Sequence, residues 1–368
     1  MDALRYYLGF NMTPGIGPAR LARLTDYFGS VQAAWEAEPG ALMGCGLDAK
    51  SIESLLATRA RLDLDAELLR AERAGVQLLC LESPDYPALL LQIPQPPPLI
   101  YVRGTLTRAD ELALAVVGTR SPTTYGKEAT RRVVNDLAAA GITIVSGLAL
   151  GIDTLAHSSA LEAGGRTVAV LAGGVDVPYP ERNRRLAEQI VSNGALISEF
   201  PLGVQPLPSN FPARNRLISG LSLGTLVVEA GSRSGALITV EFALEQGREV
   251  FAVPGEIFSR TSEGTNQLIR NGAAIVTHVQ DVLEALNWTN AAAQQEVKQV
   301  LPDDPTEAAL LELISYEPRH IDELGRSSGL PTPTLSAALA MMELKGMVRQ
   351  AGAMTYVLAR ERREEYSC

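Results

Sequence analysis

Arg182, Arg184, Arg185, Arg214 and Arg216 fall within 35 residues in which Glu188 and Glu199 are the only acids. They occupy two segments, Pro178-Tyr179-Pro180-Glu181-Arg182-Asn183-Arg184-Arg185 and Asn210-Phe211-Pro212-Ala213-Arg214-Asn215-Arg216. Each mixes arginine and asparagine with an aromatic. Guanidinium groups hold phosphates while an aromatic face stacks a base, so the mixture suits single-stranded nucleic acid. A solvated arginine face with structural prolines is the plainer alternative. Glycine-bearing stretches at 118–122, 146–153, 173–176 and 229–235 tip the balance, because glycine lets backbone N–H groups approach an anion closely.

Other chemistries lack their residues. No Gly-x-Gly-x-x-Gly with an acid some 20 residues on is present, and no Gly-x4-Gly-Lys-Ser/Thr. Lys127 is the only lysine between 108 and 288. Ser146 and His157 could be imagined as nucleophile and base, but His157 is expected to pack along the following helix, and no Gly-x-Ser-x-Gly elbow is found. Cys45, Cys80 and Cys368 are odd in number and far apart, which excludes a disulfide framework and fits a reducing cytosol. His157, His278 and His320 have no ligand-spaced partners, so no metal is expected. The reading is of a binding protein, with no catalytic residue and no cofactor.

The elements that must position these residues follow from the apolar pattern. Strand-length apolar runs at 112–117, 142–145, 167–172, 195–198, 225–228, 249–253 and 273–276 alternate with helical segments such as 126–140 and 181–192. Strand, helix, strand, repeated, gives an α/β fold with a parallel sheet, and ligands bind such sheets at the carboxyl ends of the strands. The first 80 residues read as short helices. Their Pro14-Gly15-Ile16-Gly17-Pro18 turn fits a tight connection between packed helices better than a phosphate-binding hairpin. The proline-rich stretch at 93–98 is extended. A polar run closes the sheet region. The expected organisation is therefore a helical domain of the SAM-like or helix-hairpin-helix kind at 1–80, a Rossmann-like domain at 81–288, a linker at 289–304 and a winged helix at 305–360. The stretch from 360 to 368 is expected to fray. The third helix of the winged unit, between Pro333 and Lys345, carries only Glu343 and Lys345 as charges, poor equipment for reading bases.

Acids outnumber Lys and Arg by 42 to 32, for a net charge of −10, and no domain is basic overall. Nucleic acid binding must therefore come from a local cluster. With 46% hydrophobic and 20% charged residues the chain is globular. No apolar run approaches the roughly 18 residues of a membrane helix. Asp2 and the lack of a basic leader give no secretory signal, so a cytoplasmic protein without membrane insertion is expected.

Val117-Gly118-Thr119-Arg120, the run Ser146-Gly147-Leu148-Ala149-Leu150-Gly151-Ile152-Asp153-Thr154-Leu155-Ala156-His157, Phe211-Pro212-Ala213-Arg214-Asn215-Arg216-Leu217-Ile218-Ser219-Gly220 and Glu229-Ala230-Gly231-Ser232-Arg233-Ser234-Gly235-Ala236-Leu237 resemble the DNA-processing protein A family (DprA, also called Smf). The resemblance implies an extended Rossmann fold and a homodimer. It implies binding of incoming single-stranded DNA during natural transformation, and loading of the recombinase RecA while single-strand-binding protein is displaced. It carries binding roles to Gly118, Arg120, Gly147, Phe211, Arg214 and Arg216, and Arg182, Arg184 or Arg185 would substitute for lysines that the family uses. The competing class is an enzyme of the same extended Rossmann fold, a nucleoside monophosphate phosphoribohydrolase. Its glycine motif is echoed only distantly from Glu229 to Glu241, with the wrong glycine spacing.

Two geometric expectations complete the reading. Arg214 and Arg216, two apart at the start of a helix, should face one pocket opposite Gly118 and Arg120, with Phe211 offered for stacking. Val240, Phe242, Ala243, Leu244, Val250 and Phe251 should form surplus apolar surface for a second copy.

Overall fold

The computed structural model describes residues 2–286 and, beyond them, 306, 309–310, 313–314, 319–344, 348–352 and 354–358. The expected linker at 289–304 and the expected frayed end lie outside the described residues. The chain divides into two compact units, 1–286 and 287–368.

The first unit opens with α1 (Asp2–Asn11), α2 (Pro18–Phe28), α3 (Val31–Glu36), α4 (Pro39–Gly44), α5 (Ala49–Arg61) and α6 (Leu64–Arg73). Side chains cap three of them, α3, α5 and α6: Ser30, Asp48 and Asp63 each accept from a backbone N–H of the first turn. The sheet region follows as β1 (Val76–Cys80), α7 (Ala88–Leu91), β2 (Leu99–Gly104), β3 (Ala113–Val117), α8 (Thr124–Ala139), β4 (Thr143–Ser146), α9 (Ile152–Glu162), β5 (Thr167–Val170), α10 (Arg184–Asn193), β6 (Gly194–Ser198), α11 (Asn210–Gly220), β7 (Gly224–Val227), α12 (Ala236–Glu245), β8 (Glu249–Ala252), α13 (Glu263–Arg270), β9 (Ala274–Ile275) and α14 (Val279–Ala285). The strand order is β1-β2-β6-β5-β4-β3-β7-β8-β9. From β6 to β9 every pair is parallel, and β3, β5, β6 and β7 are buried along their whole length. Strands covered by helices on both faces must be apolar throughout, which is the pattern legible in the sequence.

Two expectations need correction. The boundary placed at residue 80 falls inside the first unit. β1 is the outer strand of the large sheet and pairs antiparallel with β2, which pairs antiparallel with β6. Tyr7, Leu8 and Phe10 of α1 share one core with Leu78, Tyr101, Leu171 and Leu196. The helices therefore cap a sheet face rather than form a domain of their own. The surplus apolar surface is also mostly absent. Val240, Ala243, Val250 and Phe251 are buried, because α12 lies across β7 and β8 and β9 covers the outer side of β8. Only Leu244 stays largely exposed.

The second unit contains β10 (Arg319–His320), α15 (Ile321–Ser328), α16 (Thr332–Leu344), β11 (Val348–Gly352) and β12 (Thr355–Leu358), with sheet order β10-β12-β11. Leu310, Ile314, Leu324, Leu335, Leu339 and Met342 build its core. Helices followed by a β-hairpin make the expected winged helix. Among the described residues no helix is long and apolar enough to cross a membrane.

Candidate functional site

The sheet reverses its build direction at β3. The chain steps from β3 to β4, β5 and β6 on one side, then returns to β7 on the other. Such a switch point leaves a crevice beyond the strand ends, where the neighbouring loops diverge. A cleft of about 630 Å³ opens there, lined by Gly118 and Arg120 after β3, Phe211 and Arg214 of α11, and Ser234 and Gly235 after β7. The N-termini of α11 and α12 both open onto it, and neither has a side chain capping it from the N-cap position. Ser234 Oγ accepts from Ala236 N at 3.3 Å and Pro212 has no N–H to give, so what these ends offer an anion is chiefly the positive end of the helix dipole.

Phe211 is the centre of the cleft. Arg120 lies over the ring at 5.7 Å and Arg214 at 5.9 Å, and the Tyr179 ring meets it edge-on at 5.9 Å. The two arginines differ in every other respect. Arg120 is exposed. Arg214 is 4% exposed and donates to the carbonyl oxygens of Gly147 (2.6 Å) and Val170, while its Nε reaches Asn215 Oδ1 at 3.3 Å. Burial pushes its guanidinium down to about 10, so it stays cationic at neutral pH, and the nearby Asp153 opposes the shift. The Asp153 carboxylate is also enclosed. It accepts from the N–H of Gly147 (3.1 Å) and Ala149 (3.3 Å), and burial raises its pKa while Arg214 pulls it back. Arg214 is thus a strut that holds the ends of β4 and β5 together beneath the cleft floor. A Cβ at Gly147 would lie 2.6 Å from the Arg214 guanidinium, so glycine there makes room for the strut rather than for a ligand. At Gly118 a Cβ would lie 2.6 Å from Ile152 Cγ1, so this glycine lets α9 close on the end of β3.

The structure does not bring Arg216 into the cleft. Successive helical residues are about 100° apart, so side chains two apart point to nearly opposite sides. Arg216 pairs with the partly buried Glu199 and donates to the Gln95 carbonyl at 3.1 Å. The expectation that it shares a pocket with Arg214 is not met. Arg182, Arg184 and Arg185 are exposed but do not line the cleft either, and Arg184 pairs with Glu181. From that segment the cleft receives Tyr179, while the buried Asn183 ties it down by donating to Leu148 O and Thr154 Oγ1, both at 2.8 Å.

The imagined nucleophile and base are not brought together. Ser146 Oγ donates to Val116 O at 2.7 Å. Thr167 Oγ1 gives its proton to Ile144 O, so His157 must donate from Nδ1 to Thr167, at 2.7 Å. His157 is fully buried, and burial with the Arg214 charge pushes its pKa down to about 3. It is a neutral packing residue.

Glu229 is a residue whose role the sequence did not reveal. Only 2% exposed at the end of β7, it accepts from Thr123 N (2.9 Å), Thr123 Oγ1 (2.6 Å) and Thr261 Oγ1 (3.2 Å). It joins the loops after β3, β7 and β8. An acid immediately before a glycine loop was the available signal.

The family model described as DNA recombination-mediator protein A matches residues 77–287, and that of the DprA winged helix domain matches 291–354. The chain is 36% identical to Protein Smf of Synechocystis sp., over 95% of this chain and 98% of that one. It is 46% identical to the DNA processing protein DprA of Streptococcus pneumoniae, over 54% and 70%. Among solved structures, DprA from Streptococcus pneumoniae superposes with a TM-score of 0.68 at 36% identity, covering 76% of this chain and 97% of that one. DNA processing protein A from Helicobacter pylori, solved for its single-stranded DNA binding mode, gives a TM-score of 0.52 at 31% identity, covering 58% and 97%.

Proposed function

This chain belongs to the DNA recombination-mediator protein A (DprA/Smf) family, and on that ground we propose that it binds single-stranded DNA in the cleft at the β3/β7 switch point and processes DNA in natural transformation. One observation carries the reading: an exposed Arg120 and the ring of Phe211 stand together in a cleft onto which the N-termini of α11 and α12 open. Arg120 and the positive ends of the two helix dipoles would hold phosphates while Phe211 and Tyr179 offer faces to bases. A duplex keeps its bases stacked and has none to give.

In this reading the protein works by binding rather than by turnover, as a cytoplasmic homodimer. It would hand the bound strand to the recombinase RecA and displace single-strand-binding protein. Leu244 and Ile275, the latter on the outer strand β9, are among the exposed apolar residues at the end expected to pair. A gel shift with single-stranded, duplex and RNA probes at two salt concentrations tests the reading. Preference for the single strand, weakened by salt, supports it. Equal or better duplex binding overturns it. Light scattering across micromolar concentrations tests the dimer.

A further inference from the structure

We propose that the turn after β8 is a second contact for the same strand, with Phe258 stacking a base and Arg233 and Arg260 reaching the adjoining phosphates; this rests on the reading of the cleft as a single-strand site. Ile257 is 80% exposed and Phe258 93% exposed. They form the apex of a turn closed by a hydrogen bond from Ser259 N to Glu256 O (3.0 Å).

The feet of this turn are fixed. Tyr125 Oη donates to Pro254 O at 2.6 Å. The Asn266 amide both accepts from Gly255 N (3.2 Å) and donates to Gly255 O (3.1 Å). Thr261 Oγ1 bonds Ser259 Oγ (2.9 Å) and Glu229. Gly264 N donates to Ala230 O at 2.8 Å. A free loop would let its apolar tip fold back out of water. A turn clamped at both feet holds phenylalanine out in solvent, with the cost of ordering it already met by folding.

Position selects the partner. β8 is the neighbour of β7 and β7 of β3, so the turn stands on the same carboxyl edge as the cleft, two strand spacings (on the order of 10 Å) from the Arg120 loop. The loop after β7 bridges the gap. Ser234 and Gly235 line the cleft, Arg233 beside them is exposed, and a Cβ on Gly231 would lie 3.2 Å from Arg260 O. A strand leaving the cleft past Ser234 meets Arg233, then Arg260 and Phe258. An aromatic face flanked by guanidiniums repeats the chemistry of Phe211 and Arg120. Glu256 and Glu263 are exposed on the same turn, so the contact depends on stacking more than on charge.

The test measures affinity of the full chain for oligothymidylates of about 6 and about 20 nucleotides, a range spanning typical single-strand site sizes. Phe258→Ala is expected to weaken the longer probe roughly tenfold, with little change in salt dependence, and to leave the shorter within about twofold. Phe258→Trp is expected to show emission quenched by the longer probe and not by the shorter. Unchanged affinity for both lengths, or no quenching by either, overturns the proposal. Equal weakening for both lengths with a lower mass by light scattering also overturns it, and makes the turn a contact between copies of the chain. If the parent binds neither probe, the cleft reading itself fails.

Discussion

Arg120 and Arg214 lie at nearly equal distances from one phenylalanine ring, yet their replacement by alanine should give opposite phenotypes. Removing Arg214 leaves the enclosed Asp153 carboxylate with only the weaker influence of Arg120 to offset its charge and takes the donor from two backbone carbonyls, Gly147 and Val170. Breaking a buried charge pair from one side costs about 3–5 kcal/mol, a large share of the ~5–15 kcal/mol that holds a domain together. At roughly 2–4 °C per kcal/mol, the main melting transition should fall by on the order of 10 °C. Adding Asp153→Asn to Arg214→Ala should restore part of that loss, since no unpaired charge is then left inside. Arg120→Ala removes an exposed side chain and should leave stability within about 0.5 kcal/mol. It should instead weaken single-strand binding by about 1.5–3 kcal/mol and lower the salt slope by about 0.7, the value for one lost phosphate contact. Denaturant titration and fluorescence anisotropy of a labelled oligothymidylate at several salt concentrations read both effects. If Arg214→Ala melts with the parent while lowering the salt slope, Arg214 is a phosphate ligand and the strut argument is wrong. Destabilisation by Arg120→Ala equal to that of Arg214→Ala would refute it as well.

Phe211→Ala should cost about 1–3 kcal/mol of single-strand affinity at every salt concentration, because stacking releases no counterions; anisotropy titrations check it. Arg216→Ala should lower stability by about 1–3 kcal/mol by taking the charged partner from the partly buried Glu199, and should leave the salt slope of binding unchanged. The His157 imidazole, at about 3 in the folded chain and ~6.5 unfolded, is uncharged in both states above pH ~6.5 and costs nothing there. Below that pH only the unfolded chain takes up the proton, so stability falls by about 1.4 kcal/mol per pH unit until pH approaches 3. His157→Gln should flatten the change in denaturant midpoint between pH 6 and pH 5 by about that amount.

The parallel core was legible because buried strands are apolar throughout and their lengths differ from those of helices. The runs at 112–117, 142–145 and 195–198 became β3, β4 and β6 within a residue or two. β1 and β2 carried the same signal in Val76-Gln77-Leu78-Leu79-Cys80 and Leu99-Ile100-Tyr101-Val102, but they pair antiparallel and only the four-residue α7 lies between them, so they fall outside the regular strand-helix-strand alternation that marks the parallel region. The cleft was found in outline, since glycine loops and Phe211 locate it, while its cations were misjudged. Sequence proximity makes Arg214 and Arg216 look alike, and only helix geometry separates a strut, an ion pair to Glu199 and a free guanidinium. Tyr179 entered the cleft from a segment that drew attention for its arginines. The Arg182–Arg185 run stays outside because Asn183, the one buried member, turns inward to Leu148 and Thr154.

The common core of α1–α6 and the sheet governs where this chain can be cut. A fragment begun at residue 77, where the match to the family model starts, would keep the sheet and bare the apolar face that Tyr7, Leu8 and Phe10 cover. Tyr101 would lose Asn11, which its hydroxyl reaches at 3.0 Å, and the strand end at Glu199 would lose the amide that Asn11 donates at 2.9 Å. A family model marks what its members have in common; a shared core marks what folds together. In this protein the second boundary lies outside the first, so an expression fragment for the cleft must begin at the N-terminal helix.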